Sequence, residues 1–118
     1  MRKFKTFLLV ILFLSSVYML DAQISSKETG SIKGVVTDEE GNALPGVTIT
    51  VTGPSLMGKA TDTSRPGGEF RIVLLPPGEY TLVAELKGFK TIRQEKIDVR
   101  LGSTVTIDIK MPPAVLAE

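Results

Sequence analysis

From Ser31 onward the chain alternates apolar and polar positions with a period of two, the mark of strands that bury one face and expose the other. Ile32 and Val36 flank Gly34 on one face, with Lys33, Val35 and Thr37 opposite. Val47, Ile49 and Val51 alternate with Thr48, Thr50 and Thr52, and Phe70, Ile72 and Leu74 alternate with Arg71 and Val73. Tyr80, Leu82, Ala84 and Leu86 alternate with Thr81, Val83 and Glu85. The last series, Val105, Ile107, Ile109 and Met111, is spaced by Thr106, Asp108 and Lys110. Branched and aromatic side chains pack well on a pleated surface, and β-branched threonine suits its solvated face. Two shorter strands are predicted, from Lys59 to Thr63 and from Thr91 to Val99.

Turn chemistry separates these runs. Asp38-Glu39-Glu40-Gly41-Asn42 is a polar connection in which glycine is free to take positive φ. Pro45-Gly46 suits the central pair of a type II turn. Pro76-Pro77-Gly78 ends a ladder, because proline has no N–H to donate. Lys87-Gly88 and Leu101-Gly102 mark further reversals. With no helical period after residue 30, the pattern predicts an all-β fold: a single antiparallel β-sandwich of about seven strands over residues 31–111.

The flanks have a different character. Arg2, Lys3 and Lys5 precede the apolar run Phe7 to Leu14, which Ser15 and Ser16 interrupt and Val17 to Leu20 resumes. A basic start, a short apolar stretch and a small residue before a polar segment read as a secretory signal over residues 1–22, cleaved after Ala22. The rival reading, an uncleaved anchor, needs about 20 apolar residues to cross a bilayer, and this run is shorter. Residues 23–30 form a polar, flexible lead-in, and residues 112–118, opening with Pro112-Pro113, read as the start of a linker into a longer protein.

Composition narrows the chemistry. Residues 1–22 hold three of the 14 basic residues and one of the 13 acidic ones, so the remainder carries a net charge of −1. Its charges are scattered, without the basic face a nucleic-acid binder requires. There is no cysteine, so an exported form is held by its core alone and has no site for lipid attachment. There is no histidine either, which removes Ser-His-Asp and Cys-His catalysis and the usual zinc sites.

What remains is weak. Serine–lysine pairs at Ser55 and Lys59, or at Ser103 and Lys110, have no context that would bring them together. Asp38, Glu39 and Glu40 share one turn, where too few oxygens gather for the six or more that calcium takes. The loop Gly53 to Lys59 is followed by Ala60 and not by the Ser/Thr and helix of a phosphate-binding loop. Leu56 and Met57 are apolar residues in that loop, expected to fold back as a lid and otherwise to form a small exposed contact. Tyr80 and Phe89 are expected as core or corner aromatics. No catalytic, cofactor or metal-binding residue is assigned.

Gly34-Val35-Val36-Thr37-Asp38, then Gly41 and Leu44-Pro45-Gly46-Val47, resembles the opening of carboxypeptidase regulatory-like domains. The resemblance continues through Gly58, Thr61-Asp62, Gly68 and Phe70, and closes with Leu75 to Leu82 and Gly88-Phe89. It implies a prealbumin-like (Ig-like) sandwich. One departure is visible: Thr63 to Gly67 lengthens the turn between Asp62 and Gly68, which is usually shorter in that family. A signal leading into such a domain, with Pro54 to Gly58 and Gly88 to Gly102, is similar to Oar-like TonB-dependent receptors. That likeness implies a non-catalytic module on the periplasmic side of the outer membrane. Its expected partner is a periplasmic protein or the receptor's own plug and barrel, and its contact with the membrane runs only through that barrel. The alternatives are a free-standing exported sandwich that binds a ligand or protein at a sheet edge, and the accessory domain of a metallocarboxypeptidase.

Overall fold

A computed structural model describes residues 29–115; the predicted signal and most of the lead-in lie outside the described residues. Eight strands follow in order: β1 (Gly30–Thr37), β2 (Thr48–Thr52), β3 (Ala60–Thr63), β4 (Glu69–Leu75), β5 (Gly78–Glu85), β6 (Ile92–Val99), β7 (Thr104–Thr106) and β8 (Ile109–Lys110). Among the described residues there is no helix. One sheet runs β4-β1-β7, with β8 also paired to β1; the other runs β3-β2-β5-β6. The chain therefore crosses between sheets at β1–β2, β3–β4, β4–β5 and β6–β7, the interlocked winding of a sandwich.

The core lies between the sheets. Ile32, Val36, Phe70, Ile72, Leu75, Ile109 and Met111 come from the first, and Ile49, Val51, Tyr80, Leu82, Ala84, Ile97 and Val99 from the second. Each buried Val, Ile, Leu, Met or Phe side chain taken from water contributes roughly 1.5–3 kcal/mol against the entropy of ordering the chain. The turns take the predicted forms, with Gly41 at φ 89° and Gly46 at φ 77°. No buried side-chain nitrogen or oxygen lacks a partner among the described residues.

Three local features depart from the alternation. In β4 the inward position moves from Leu74 to Leu75: Leu74 is 74% exposed and Leu75 fully buried. The pairing with β1 shifts between Gly30↔Leu75 and Ile32↔Ile72, so Val73 and Leu74 form a bulge, and Leu74 adopts φ 58°. A bulge inserts one residue and reverses the faces beyond it, which a strict period of two cannot anticipate.

The last strand runs parallel, not antiparallel, to β1. Ser31, Ile32 and Lys33 face Thr104, Val105 and Thr106, and Val36 and Thr37 face Ile109 and Lys110. The offset is the same on both sides of the break, so β7 and β8 are one strand that dips at Ile107–Asp108. The dip has a cause in β1: the Ile107 carbonyl occupies the space where a Cβ on Gly34 would stand. With that carbonyl turned inward, the Val35 N–H donates instead to Asp108 Oδ1 at 3.2 Å.

The lengthened segment after Asp62 carries β3 across to β4 in the other sheet. Ser64 anchors the crossing. Its hydroxyl donates to the Leu44 carbonyl at 2.7 Å and accepts from the Val47 N–H at 2.9 Å. Its backbone pairs with Gly46 and Val47, both at 2.9 Å.

Candidate interaction surface

Asp38 and Ser103 serve local structure. The Asp38 carboxylate accepts the backbone N–H groups of Glu40 and Asn42, each at 2.9 Å, and the Asn42 side-chain amide at 3.3 Å. These bonds, the Asn42 backbone N–H first, hold its pKa below the ordinary carboxylate value. A carboxylate whose folded pKa is depressed stabilises the fold above its unfolded value and loses that contribution as pH falls through the folded one. Asp38→Asn is therefore expected to flatten the acid limb of stability, below about pH 4, which urea midpoints measured at several pH values would register. A limb unchanged by the substitution would count against this role. Among the described residues no three His, Cys, Asp or Glu side chains are placed to hold a metal ion together.

The Ser103 hydroxyl is engaged with the backbone of Arg100, donating to its carbonyl at 2.8 Å. Ser55 and Lys59 are both exposed and enter no side-chain hydrogen bond or ion pair among the described residues. The apolar pair beside them divides: Leu56 packs against the core as a lid, whereas Met57 is 99% exposed. Phe89 is half-buried against the core, and Tyr80 is buried with its hydroxyl donating to the Pro76 carbonyl four residues back. That bond ties the Pro76-Pro77 crossing to β5, in the manner of a tyrosine corner. Tyr80→Phe is expected to cost about 1 kcal/mol in chemical denaturation; a cost near zero would make the bond incidental.

Surfaces able to meet a partner include the sheet edges and the outer face of β4-β1-β7. The edge at β4 is closed. Asp62 Oδ2 accepts the Arg71 N–H at 2.7 Å, the Arg65 N–H reaches the Glu69 carbonyl at 3.0 Å, and the Val73–Leu74 bulge twists the rest away. Filling or bending an edge in this way blocks pairing with another chain. The β3 edge has only four residues, and the edge opposite β4 is broken between β7 and β8.

The eight-residue β6 is different. Among the described residues no loop or side chain caps the backbone of Ile92–Val99 on the side away from β5. Arg93, Gln94, Glu95 and Lys96 are all exposed. One bulge interrupts the strand, with Lys96 at φ 57°.

The outer face of the first sheet holds a shallow cavity of about 330 Å³ lined by Lys33, Val35, Glu69, Arg71, Thr106 and Asp108, with Gly34 and Phe70 beneath. Lys33 and Arg71 stand directly opposite each other across β1 and β4. Like charges at that spacing oppose the pairing.

The family model for carboxypeptidase regulatory-like domains matches residues 31–112, nearly all of this sandwich. The chain belongs to that family. Over 92 residues this regulatory-like domain is 34% identical to the TonB-dependent transporter Oar of Myxococcus xanthus; the match takes in 77% of the chain and 9% of the transporter. The chain thus spans about a tenth of that relative's length. Among solved structures, the TIE protein of Bacillus anthracis superposes with a TM-score of 0.63 at 25% identity, covering 73% of this chain and 17% of that one. The minor pilin GBS52 of Streptococcus agalactiae does so with a TM-score of 0.59 at 16% identity, covering 77% and 47%. In this regulatory-like domain Gly41, Pro45, Gly46, Pro76, Pro77 and Gly88 occupy turns and crossings, Gly34 stands within β1, and Phe70 and Tyr80 fill the core.

Proposed function

We propose that this regulatory-like domain is a non-catalytic interaction module of a TonB-dependent outer-membrane receptor engaged in substrate uptake, exported and held on the periplasmic side. The match to the Oar transporter over most of the sandwich carries this reading. The absence of histidine and cysteine from the sequence, and the use of Asp38 and Ser103 in local turns, accord with a module that binds rather than reacts. Its contact is an extended segment added to β6, drawn from a periplasmic protein or from the receptor's own plug. Strand addition needs unpaired backbone groups, and β6, on either side of its bulge at Glu95–Lys96, is the long edge that lacks a cap.

A photoreactive residue placed at Gln94 in β6, and separately at Thr61 in β3, tests this edge in living cells. Crosslinks to one partner or to the receptor's own body from position 94, and none from position 61, are expected. Equal crosslinking from both positions, or none from position 94, contradicts docking at β6.

A further inference from the structure

The order of strands around β1 gives the sandwich a mechanical property independent of any ligand. The chain enters the fold at Gly30 and leaves past Met111. Those two points lie at opposite ends of β1, because β7 and β8 run parallel to it: Ser31 faces Thr104 at the entry end, and Thr37 faces Lys110 at the exit end. Tension applied between the two flanks therefore pulls β1 one way and β7–β8 the other, along their shared axis. We propose that the domain is a tension-carrying joint, with β1 and β7–β8 as its shear clamp.

In shear the bonds between two strands share the load and fail together, whereas a force across the strands opens them one at a time. The clamp comprises the ladder itself and its flanking bonds: Gly102 N–H to Thr29 carbonyl at 3.0 Å, Ser31 N–H to Ser103 carbonyl at 3.0 Å, Ile107 N–H to Lys33 carbonyl at 2.7 Å and Met111 N–H to Thr37 carbonyl at 2.8 Å. The Ser31 and Thr104 hydroxyls add a side-chain bond of 2.9 Å at the entry end. The other side of β1 is locked into β4, so β1 cannot slide without breaking a second ladder.

Beyond β8 the exit is fastened again. Lys90 N–H donates to the Pro112 carbonyl at 2.8 Å and Ala114 N–H to the Gly88 carbonyl at 3.0 Å, with Phe89 facing Pro113. Load leaving the first sheet therefore passes through the β5–β6 connection of the second. The clamp rests on strand order alone and stands whether or not the receptor reading holds.

Single-molecule force spectroscopy on the full 118-residue chain tests the clamp. The sequence has no cysteine, so Leu101→Cys, at an exposed position beside the entry end, provides a unique second attachment point. Pulling through the two termini loads β1 in shear; pulling between the N-terminus and position 101 peels it from β7. The same variant pulled through its termini controls for any change in stability. Rupture force through the termini is expected to exceed that of the peeling geometry about threefold at equal loading rate, since forced unfolding follows the barrier along the pulled direction. Equal rupture forces in the two geometries, or a lower force through the termini, would overturn the proposal.

Discussion

Gly34→Ala is expected to destabilise the domain by about 3 kcal/mol, although glycine is ordinarily the poorer residue in a strand, by roughly 0.5–1 kcal/mol against alanine. The sign reverses because of what faces this glycine. A Cβ at position 34 would overlap the Ile107 carbonyl and stand 2.9 Å from Cε1 of the buried Phe70. The first obstacle is backbone, which cannot swing aside as a side-chain tip can. Relief requires Ile107–Asp108 to move outward, which disturbs the Asp108 bond to the Val35 N–H and the seat of Ile109 in the core. A lower urea midpoint at unchanged slope would report the loss as one of stability, not of compactness. A variant within 0.5 kcal/mol of the parent would show that the dip of the last strand is not what Gly34 permits.

Ser64→Ala carries the second large effect, about 3 kcal/mol in the same assay. The hydroxyl is buried and serves two backbone groups, the Leu44 carbonyl and the Val47 N–H. Alanine removes the shared hydroxyl and leaves the buried Val47 donor and Leu44 acceptor unpaired, each at about 1–3 kcal/mol. Ser64→Thr retains a hydroxyl and is expected to recover part of the loss, which separates the hydrogen bonds from packing. Equal losses for alanine and threonine would assign the site to steric fit instead.

The strands were legible because alternation is a direct consequence of one buried face. Ile49, Val51, Tyr80, Leu82 and Ala84 are buried where that alternation puts them. Turns were legible where glycine or proline forces the backbone, as at Pro45-Gly46. Three things were not. Leu75, rather than Leu74, enters the core, because a bulge changes parity without any residue that announces it. The parallel seat of β7–β8 depends on a gap at Gly34 more than 70 residues earlier in the chain, a relation invisible to local pattern. Ser64 sits in a stretch of Ser, Arg, Pro and Gly that reads as solvated loop, and only the crossing between sheets buries it.

The candidate surface was legible only in kind. Edge strands follow from any open sandwich, but which edge is free depends on tertiary detail. Asp62 reads as an ordinary turn residue until its carboxylate is seen covering the Arg71 N–H, and Lys33 and Arg71 become neighbours only through the β1–β4 register. The family was legible from Gly34 to Phe89, because spaced glycines, prolines and aromatics carry it independently of strand order.

The receptor assignment is tested most directly by the size and location of the native protein. An antibody raised against residues 31–111 would be used to probe soluble, inner-membrane and outer-membrane fractions of the source cells. The account predicts a band several times larger than this chain, confined to the outer membrane. A soluble band near the mass of residues 23–118 would contradict it and leave a free-standing exported sandwich.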